Sequence, residues 1–290
     1  MPLQPRRALA LLPLLALACT EYDLGRDDDT LPKLDDTGGI QDSGTETDPP
    51  VDTGDPPDSD PPIDETGLPP DAATDPLYAH TSSTLFSVLP ESPYTHTRIG
   101  AFADSSAGPV TDITDVAIDT DGTMYAVSFD ALYRVDASNG QLEPLGSAGP
   151  IDLNALTFLA DGTLLAGGGS SLYQVDTASG AFTEISSIGD WSFAGDMVGL
   201  PDGLLYCAMS NDSTGTQSAL VVYDLANSTI IRTGDTGTGS LFGVAYAEGA
   251  LFGFNADGTI FTLDQIGGAA TQVRDTDEVW WGATTNPVAW

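Results

Sequence analysis

Leu132-Tyr133-Arg134-Val135-Asp136 is one copy of a five-residue pattern that recurs along this chain of 290 residues. Each copy has an apolar residue, a bulky apolar residue, a variable residue, an aliphatic or aromatic residue and usually an aspartate. Three further copies begin at Leu172, Leu220 and Ile260, and a weaker copy without the aspartate begins at Leu85. Counted from Leu85, the copies start 47, 40, 48 and 40 residues apart. A repeat of about forty residues made of short strands is typical of a β-propeller.

The second repeat shows most clearly how each unit is built. Residues 113–119 alternate as an inner strand, and the next three strands are predicted at 123–128, 132–136 and 141–145. Asp-Gly and Asn-Gly pairs separate these strands, as expected for tight hairpins that need a positive φ at a central residue. The pattern therefore predicts four antiparallel strands per unit.

The two ends of residues 76–290 complement each other. The first unit has three strands, at 77–81, 85–89 and 95–99, but no inner strand before them. One extra strand, at 279–285, follows the fifth unit. We predict that this C-terminal strand completes the first blade, which closes the ring and removes two free sheet edges. The predicted fold is an all-β, five-bladed propeller over residues 76–290.

Residues 1–18 have the composition of an export signal. Two adjacent arginines provide a positive start, and residues 8–18 form an apolar segment shorter than the roughly 20 residues that span a bilayer. Small residues before Cys19 resemble the lipobox of bacterial lipoproteins, whose cysteine receives the lipid and becomes the mature N-terminus. That family prefers leucine three positions before the cysteine, where this chain has Ala16. We predict lipidation at Cys19; the alternative is an ordinary signal peptide that contains a cysteine.

Residues 19–75 are rich in aspartate, threonine, glycine and proline. Almost no aromatic or β-branched apolar residue interrupts them, so they cannot bury enough surface to offset the entropy lost on ordering. Calcium-binding EF-hand loops need a glycine at position six and a glutamate at position twelve, and no window supplies both. We predict a disordered, extended tether between the lipid anchor and the propeller.

Charge excludes one class of partner. The chain has 43 acidic and 8 basic side chains, and residues 76–290 alone have 25 and 4. Such a surface repels phosphate backbones, so nucleic acid is not expected as a partner. The expected partners are the membrane, through the N-terminal lipid, and a protein or glycan ligand, with the protein itself a monomer.

Few residues are suited to catalysis. His80 and His96 fall on the second and outer strands of the first blade, which predicts that neither faces the central channel. Cys207 lies in an apolar run without a cationic neighbour, so we expect an unreactive buried thiol. No Gly-x-Ser-x-Gly nucleophile elbow occurs. The sequence therefore favours a protein that is not an enzyme.

Oxygen ligands and tryptophans are the remaining candidates. The inner strands place Asp115, Asn154 and Asp196 at one mouth of the channel, where they could hold Ca²⁺ or another divalent cation. The alternative is that such residues cap hairpins and hydrate a water-filled tunnel. Trp280 and Trp281 alternate, so one is expected in the core and the other on the opposite face. An exposed tryptophan can stack on sugars or partner proteins, and the alternative is blade packing. No other cofactor is predicted.

The turns of the type Asp-Gly-Thr-(Met/Leu) and the strands of the type Leu-Tyr-x-Val-Asp resemble propellers of the NHL and SMP-30/gluconolactonase type. This resemblance covers residues 76–285, and it implies acidic and asparagine ligands in the channel that polarise a lactone. Together with the lipobox and the tether, the chain looks like surface lipoproteins of predatory or soil-dwelling Gram-negative bacteria such as myxobacteria.

The sequence thus leads to one main functional prediction and one alternative. The main prediction is a membrane-anchored, extracytoplasmic β-propeller of the cell envelope, with the outer membrane favoured, that acts as a binding or scaffold module for protein or glycan ligands. The alternative is a metal-dependent, lactonase-like hydrolase with its site at the channel mouth.

Overall fold

The structure, a computed structural model, describes residues 76–147, 152–211 and 217–287. The predicted signal peptide (1–18), the lipidated Cys19 and the tether (19–75) lie outside the described residues. Within the described part of the chain, the elements of regular secondary structure are all β-strands, as the sequence predicts. No helix among these residues is long and apolar enough to cross a membrane.

The strands follow one another in short antiparallel hairpins. In chain order they begin with β1 (Leu77–Thr81), β2 (Thr84–Val88), β3 (His96–Ala101), β4 (Ala103–Asp104), β5 (Gly108–Pro109), β6 (Ile113–Ile118), β7 (Met124–Ser128), β8 (Ala131–Val135), β9 (Gln141–Ser147), β10 (Leu153–Phe158) and β11 (Leu164–Gly168). They continue with β12 (Ser171–Asp176), β13 (Ala181–Ser187), β14 (Ser192–Gly199), β15 (Leu204–Ser210), β16 (Ala219–Asp224), β17 (Thr229–Asp235), β18 (Leu241–Ala247), β19 (Ala250–Asn255), β20 (Thr259–Leu263), β21 (Ala270–Asp275) and β22 (Gly282–Thr284).

These strands form five sheets arranged as the blades of a propeller, which confirms the predicted fold. Blade 1 has the order β22-β1-β2-β3, and blades 3, 4 and 5 have the orders β10 to β13, β14 to β17 and β18 to β21. Blade 2 contains β6 to β9. The inner strands are therefore β22, β6, β10, β14 and β18, and the five-residue sequence pattern marks the third strand of every blade.

The ring closes through the C-terminal strand, as predicted. Strand β22 pairs antiparallel with β1, and the register places Tyr78 opposite Thr284 and His80 opposite Gly282. The strand is shorter than the predicted 279–285, because the residues before it turn towards blade 5. There the indole Nε1 of Trp280 donates to the carbonyl of Gly258 at 3.4 Å.

The aspartate that ends the repeated pattern has a local structural reason. After β8, the Asp136 carboxylate accepts hydrogen bonds from the amide and the hydroxyl of Ser138, at 3.0 and 2.6 Å. Asp176, Asp224 and Asp264 accept amide hydrogen bonds from the turns after their own strands. Side-chain capping of this kind stabilises the turn to the outer strand, so the repeat can be read directly from the sequence.

Blade 2 has an extension that the sequence reasoning missed. The short hairpin of β4 and β5 adds to its outer edge, and β4 runs parallel to β9, with Ala103 opposite Gln141. This hairpin lies in the connection from blade 1 to blade 2. It pairs an edge that would otherwise expose free backbone groups.

Candidate binding site at the mouth of the channel

Two fully buried aspartates lie at the centre of the ring. Asp115 is on β6, and its carboxylate accepts hydrogen bonds from the amide of Val116 at 2.8 Å and from that of Leu156 on β10 at 2.6 Å. Asp115 therefore connects the inner strands of blades 2 and 3. Its position at the channel agrees with the sequence-based prediction, but its oxygens are engaged with backbone.

Asp196 makes the matching connections for the other three blades. It lies on β14, and one carboxylate oxygen accepts the amide of Met197 at 2.6 Å. The other oxygen accepts the amides of Val244 on β18 at 2.9 Å and Ala283 on β22 at 3.1 Å. Together with Asp115, this side chain links the inner strands of all five blades. We call Asp115 and Asp196 the aspartate pair.

The aspartate pair is protonated more readily than ordinary carboxyl groups. Burial raises the pKa of Asp115 well above its usual value, and the negative charge of Asp196 raises it further. Burial also raises the pKa of Asp196, to about 8, although its hydrogen bonds oppose the increase. The two carboxyl groups interact with each other, and two neighbouring buried carboxyl groups cannot both ionise easily. The pair therefore holds a proton at neutral pH.

His80 lies against this pair, so the prediction that it lies away from the channel is wrong. The imidazole is fully buried, and its Nδ1 donates to the carbonyl of Thr81 at 2.9 Å. The other nitrogen, Nε2, is 3.7 Å from Asp115 Oδ1 and has no hydrogen-bond partner among the described residues. Burial lowers the pKa of His80 to about 4, so the ring is neutral at physiological pH.

A glycine makes this arrangement possible. A Cβ atom on Gly282 would overlap both His80 Nε2 and Asp115 Oδ1. Because Gly282 has no side chain, the imidazole reaches the centre from the second strand of blade 1. His96, by contrast, lies on the outer strand β3 as predicted, where its ring packs against Trp280 with centroids 5.7 Å apart.

The predicted cation ligands do not converge as a set. Asn154 donates its side-chain amide to the carbonyl of Phe193 at 2.7 Å, whereas Asp115 and Asp196 contact each other and backbone amides. Ca²⁺ takes six to eight oxygen ligands. Within the described residues there is no group of three or more His, Cys, Asp or Glu side chains that could hold a metal ion. The donor set fits a protonated pair better than a cation, and the divalent-cation site and the lactonase alternative stay predictions.

A pocket opens at the channel mouth next to the aspartate pair. It has a volume of about 240 Å³, and all five blades contribute to its wall: Thr114, Phe129, Asn154, Ala194, Gly195, Phe242 and Trp281. Two of these residues, Thr114 and Gly195, immediately precede the two aspartates in the chain. We call this cavity the mouth pocket.

The walls of the mouth pocket are largely aromatic. Phe129 is 44% exposed, and its ring meets that of Trp281 edge to face, with centroids 6.5 Å apart. Phe242 and Trp281 are both half-buried. Trp281 therefore lies where a ligand could reach it, and its ligand-binding role stays a prediction. Trp280 is fully buried, so this second predicted ligand residue packs the core instead.

The polar groups of the mouth pocket differ in how far they are satisfied. Thr114 donates its hydroxyl to the carbonyl of Val127 at 3.1 Å. The Asn154 side-chain oxygen is buried and has no hydrogen-bond partner among the described residues, although its NH₂ group is held by the Phe193 carbonyl. Such an acceptor costs about 1–3 kcal/mol when it stays unsatisfied.

Sequence reasoning missed Phe129, which lies in the turn between β7 and β8, and Phe242, which lies at a β-bulge of its inner strand. The pairing of four inner strands shifts register near its start, at Ile113/Asp115, Leu153/Ala155, Phe193/Met197 and Leu241/Gly243. A bulge bends the strand and redirects a side chain. Thr114, Asn154 and Phe242 each occupy the second position of their inner strand, and aligning the repeats at that position would have found them.

Comparisons with known proteins define the fold but not a family. No protein-family model matches the chain, and no curated protein is significantly similar to it. Among solved structures, 1042 chains match. A chain of the nidogen/laminin complex has 11% identity and a TM-score of 0.51, with 72% of this chain and 97% of that chain covered. A protein from work on the de novo evolutionary emergence of a symmetrical protein has 17% identity and a TM-score of 0.50, with coverages of 73% and 98%.

A third match is shorter and weaker. Hydrazine synthase of Kuenenia stuttgartiensis has 16% identity and a TM-score of 0.41, with 55% of this chain covered. The present chain spans about half the length of that protein, 48%. The two matches with TM-scores of 0.50 and 0.51 show a shared fold, and at their identities they show nothing about activity.

Proposed function

We propose that this propeller is a binding module and that it takes its ligand in the mouth pocket. One observation carries the proposal: five blades converge on an aromatic cavity beside a buried pair of aspartates whose oxygens are bound to backbone amides. The rigid ring holds the wall residues in place, and concave, mainly apolar cavities with a few polar groups are the usual form of ligand sites.

The chemistry of the cavity supports binding over reaction. The hydroxyl of Thr114 is engaged with a backbone carbonyl. Cys207 is fully buried in the core of blade 4, and burial raises the pKa of its thiol, so it is an unreactive thiol. A propeller with the same fold occurs in the nidogen/laminin complex, which is a complex between proteins. That fold is therefore compatible with recognition.

A screen by ligand-observed NMR tests the binding proposal. Monosaccharides, short peptides and neutral, anionic and cationic fragments are offered to the full chain. We expect at least one binder whose signal is lost in Trp281→Ala and kept in Trp191→Ala, because Trp191 is half-buried but lies outside the mouth pocket. Binders that respond to neither substitution, or only to Trp191→Ala, would place recognition elsewhere.

We also propose that Cys19 anchors the propeller to the outer membrane of a bacterial cell envelope, on the extracytoplasmic side. The pattern of small residues before Cys19 and the acidic segment after it support this proposal. Mass spectrometry of the protein purified from membranes should show an N-terminal cysteine that carries lipid, and Cys19→Ser should abolish the modification. An unmodified N-terminus generated by cleavage at another residue would contradict it.

A further inference from the structure

The aspartate pair and Asn154 bring oxygen atoms to the mouth pocket or next to it. Thr114 and Gly195, which line the pocket, are covalently next to these aspartates. The unpartnered oxygen of Asn154 adds the negative end of an amide dipole.

Acidic residues flank the lining residues of the mouth pocket in the chain and form what we call its rim. Asp112 and Asp152 precede the inner strands β6 and β10, and Asp130 follows Phe129 directly. The amide that follows Asp152 in the chain donates to the Phe129 carbonyl at 3.0 Å, which brings that acid beside the aromatic wall. The effect of these acids is visible at Tyr133. Burial raises the pKa of its hydroxyl most, and the negative charges of acids that include Asp112 and Asp130 raise it further.

Basic side chains that could neutralise this charge lie elsewhere. The described residues contain four arginines, and all of them are on third or outer strands: Arg98 on β3, Arg134 on β8, Arg232 on β17 and Arg274 on β21. Arg134 is paired with Glu143 at 3.1 Å, and Arg274 donates to the carbonyl of Pro93 at 2.6 Å. The mouth pocket is therefore acidic and has no internal counter-charge from the described residues.

Aromatic walls and negative charge together select one kind of ligand. The faces of Trp and Phe rings attract cations, and alkylated ammonium groups are weakly hydrated and pack well between such rings. We propose that the mouth pocket binds a small organic cation with an alkylated ammonium head group, held by Trp281, Phe129 and Phe242. Pockets for drug-sized ligands have about 300–1,000 Å³, so a cavity of about 240 Å³ fits one compact head group. This inference rests on the proposed function, which requires only that the pocket binds a ligand.

Choline and its uncharged isostere 3,3-dimethylbutan-1-ol separate charge from shape. Isothermal titration of the full chain should give an affinity for choline at least about tenfold higher than for the isostere, because only choline has the positive charge. Raising the NaCl concentration should weaken choline binding, since the rim carboxylates are exposed to screening. Phosphocholine should bind less tightly than choline, because the acidic rim repels its phosphate.

Substitutions in the wall of the mouth pocket test whether choline binds there. Phe129→Ala and Trp281→Ala should each lower choline affinity by about tenfold or more, while Trp191→Ala should leave it unchanged. Equal affinity for choline and its isostere, or tighter binding of phosphocholine, would overturn the cation proposal and leave the binding proposal intact. Failure of choline to bind while another fragment binds in the mouth pocket would do the same. Failure of every compound in the screen would overturn both proposals.

Discussion

Neighbouring positions on the same inner strands differ in what they do at the floor and at the mouth of the channel. At the floor, Asp115 and Asp196 direct their oxygens to the backbone amides of other blades and are fully buried. At the mouth, Thr114 and Gly195, one residue earlier, line a cavity whose wall includes the exposed Phe129. The difference shows that adjacent residues of one strand can serve two purposes: one binds the other blades, and the one before it lines a cavity open to a ligand.

This contrast predicts which measurements respond to substitution. Floor variants should change the free energy of unfolding, because they leave buried backbone amides without acceptors. Mouth variants should change binding and leave stability nearly as it is, since surface substitutions away from special features usually fall within about 0.5 kcal/mol.

The largest expected effect is that of Asp196→Ala. It removes the acceptor of three buried amides, on β14, β18 and β22, so we expect a loss of about 3–5 kcal/mol in the free energy of unfolding. Urea unfolding of the full chain measures it. Asp161→Ala is the matched control, because Asp161 accepts one amide hydrogen bond in an exposed turn and should cost less than about 1 kcal/mol. Similar losses in both variants would remove the distinction between floor and surface.

Gly282→Ala should have the next largest effect. The added Cβ overlaps the imidazole of His80 and the carboxylate of Asp115, and overpacking of this kind typically costs about 1–3 kcal/mol. The free energy of unfolding is again the observable. Combined with His80→Ala, the substitution should cost less than the sum of the two single effects, because the smaller side chain relieves the overlap. Additive effects would show that the two positions do not touch.

The pH dependence of stability tests the aspartate pair without mutation. Because its pKa values are raised, with Asp196 at about 8, its contribution is fully present below the ordinary carboxyl value of 3.8 and is lost as the pH rises through about 8. The free energy of unfolding should therefore fall as the pH rises from about 4 through 8, by at most about 1.4 kcal/mol per pH unit for each proton released.

His80 acts in the opposite direction at lower pH. Burial lowers its pKa from 6.5 to about 4, so its contribution is lost as the pH falls between these values. Between about pH 4 and 6.5 the His80 contribution therefore offsets part of the fall caused by the aspartate pair, and above pH 6.5 only the pair contributes. The fall above pH 6.5 should be reduced in Asp115→Asn, measured as the slope of unfolding free energy against pH. An equal slope in both proteins would show that other groups control it.

The smallest effect on stability is expected at the mouth. Phe129→Ala should change the free energy of unfolding by about 0.5 kcal/mol or less, because the side chain is 44% exposed. Thermal unfolding without ligand measures this. A loss above about 2 kcal/mol would mean that Phe129 supports the ring rather than the pocket.

The sequence predicts the ring well because its signals are local. Asp136 caps its own turn a few residues away, and the glycine at 122 has a φ of 85°, so turns and third strands can be read from single repeats. The closing strand can be predicted from the missing inner strand of the first unit. These features need no knowledge of which blades meet at the centre.

The site is harder to predict because it depends on contacts between blades. The sequence identifies Asp115, Asn154 and Asp196 as central, but not that all three bind the backbone of another blade. It also does not show that only Asn154 among them lines the mouth pocket. His80 reaches the centre only because the chain that closes the ring has a glycine at 282. Bulges redirect the second residue of the inner strands, and they depend on pairing that no single repeat reveals.

Indole N–H signals offer the most direct test, because Trp191, Trp280 and Trp281 lie in different environments. In a ¹⁵N-labelled full chain titrated with choline, the signal of Trp281 should shift and saturate, while the signals of the buried Trp280 and of Trp191 stay in place. Replacing Trp281 with phenylalanine assigns the signal. This result would locate recognition at the mouth of a ring that Asp115 and Asp196 hold together. Saturable shifts at Trp191 or Trp280, with Trp281 unmoved, would contradict that account.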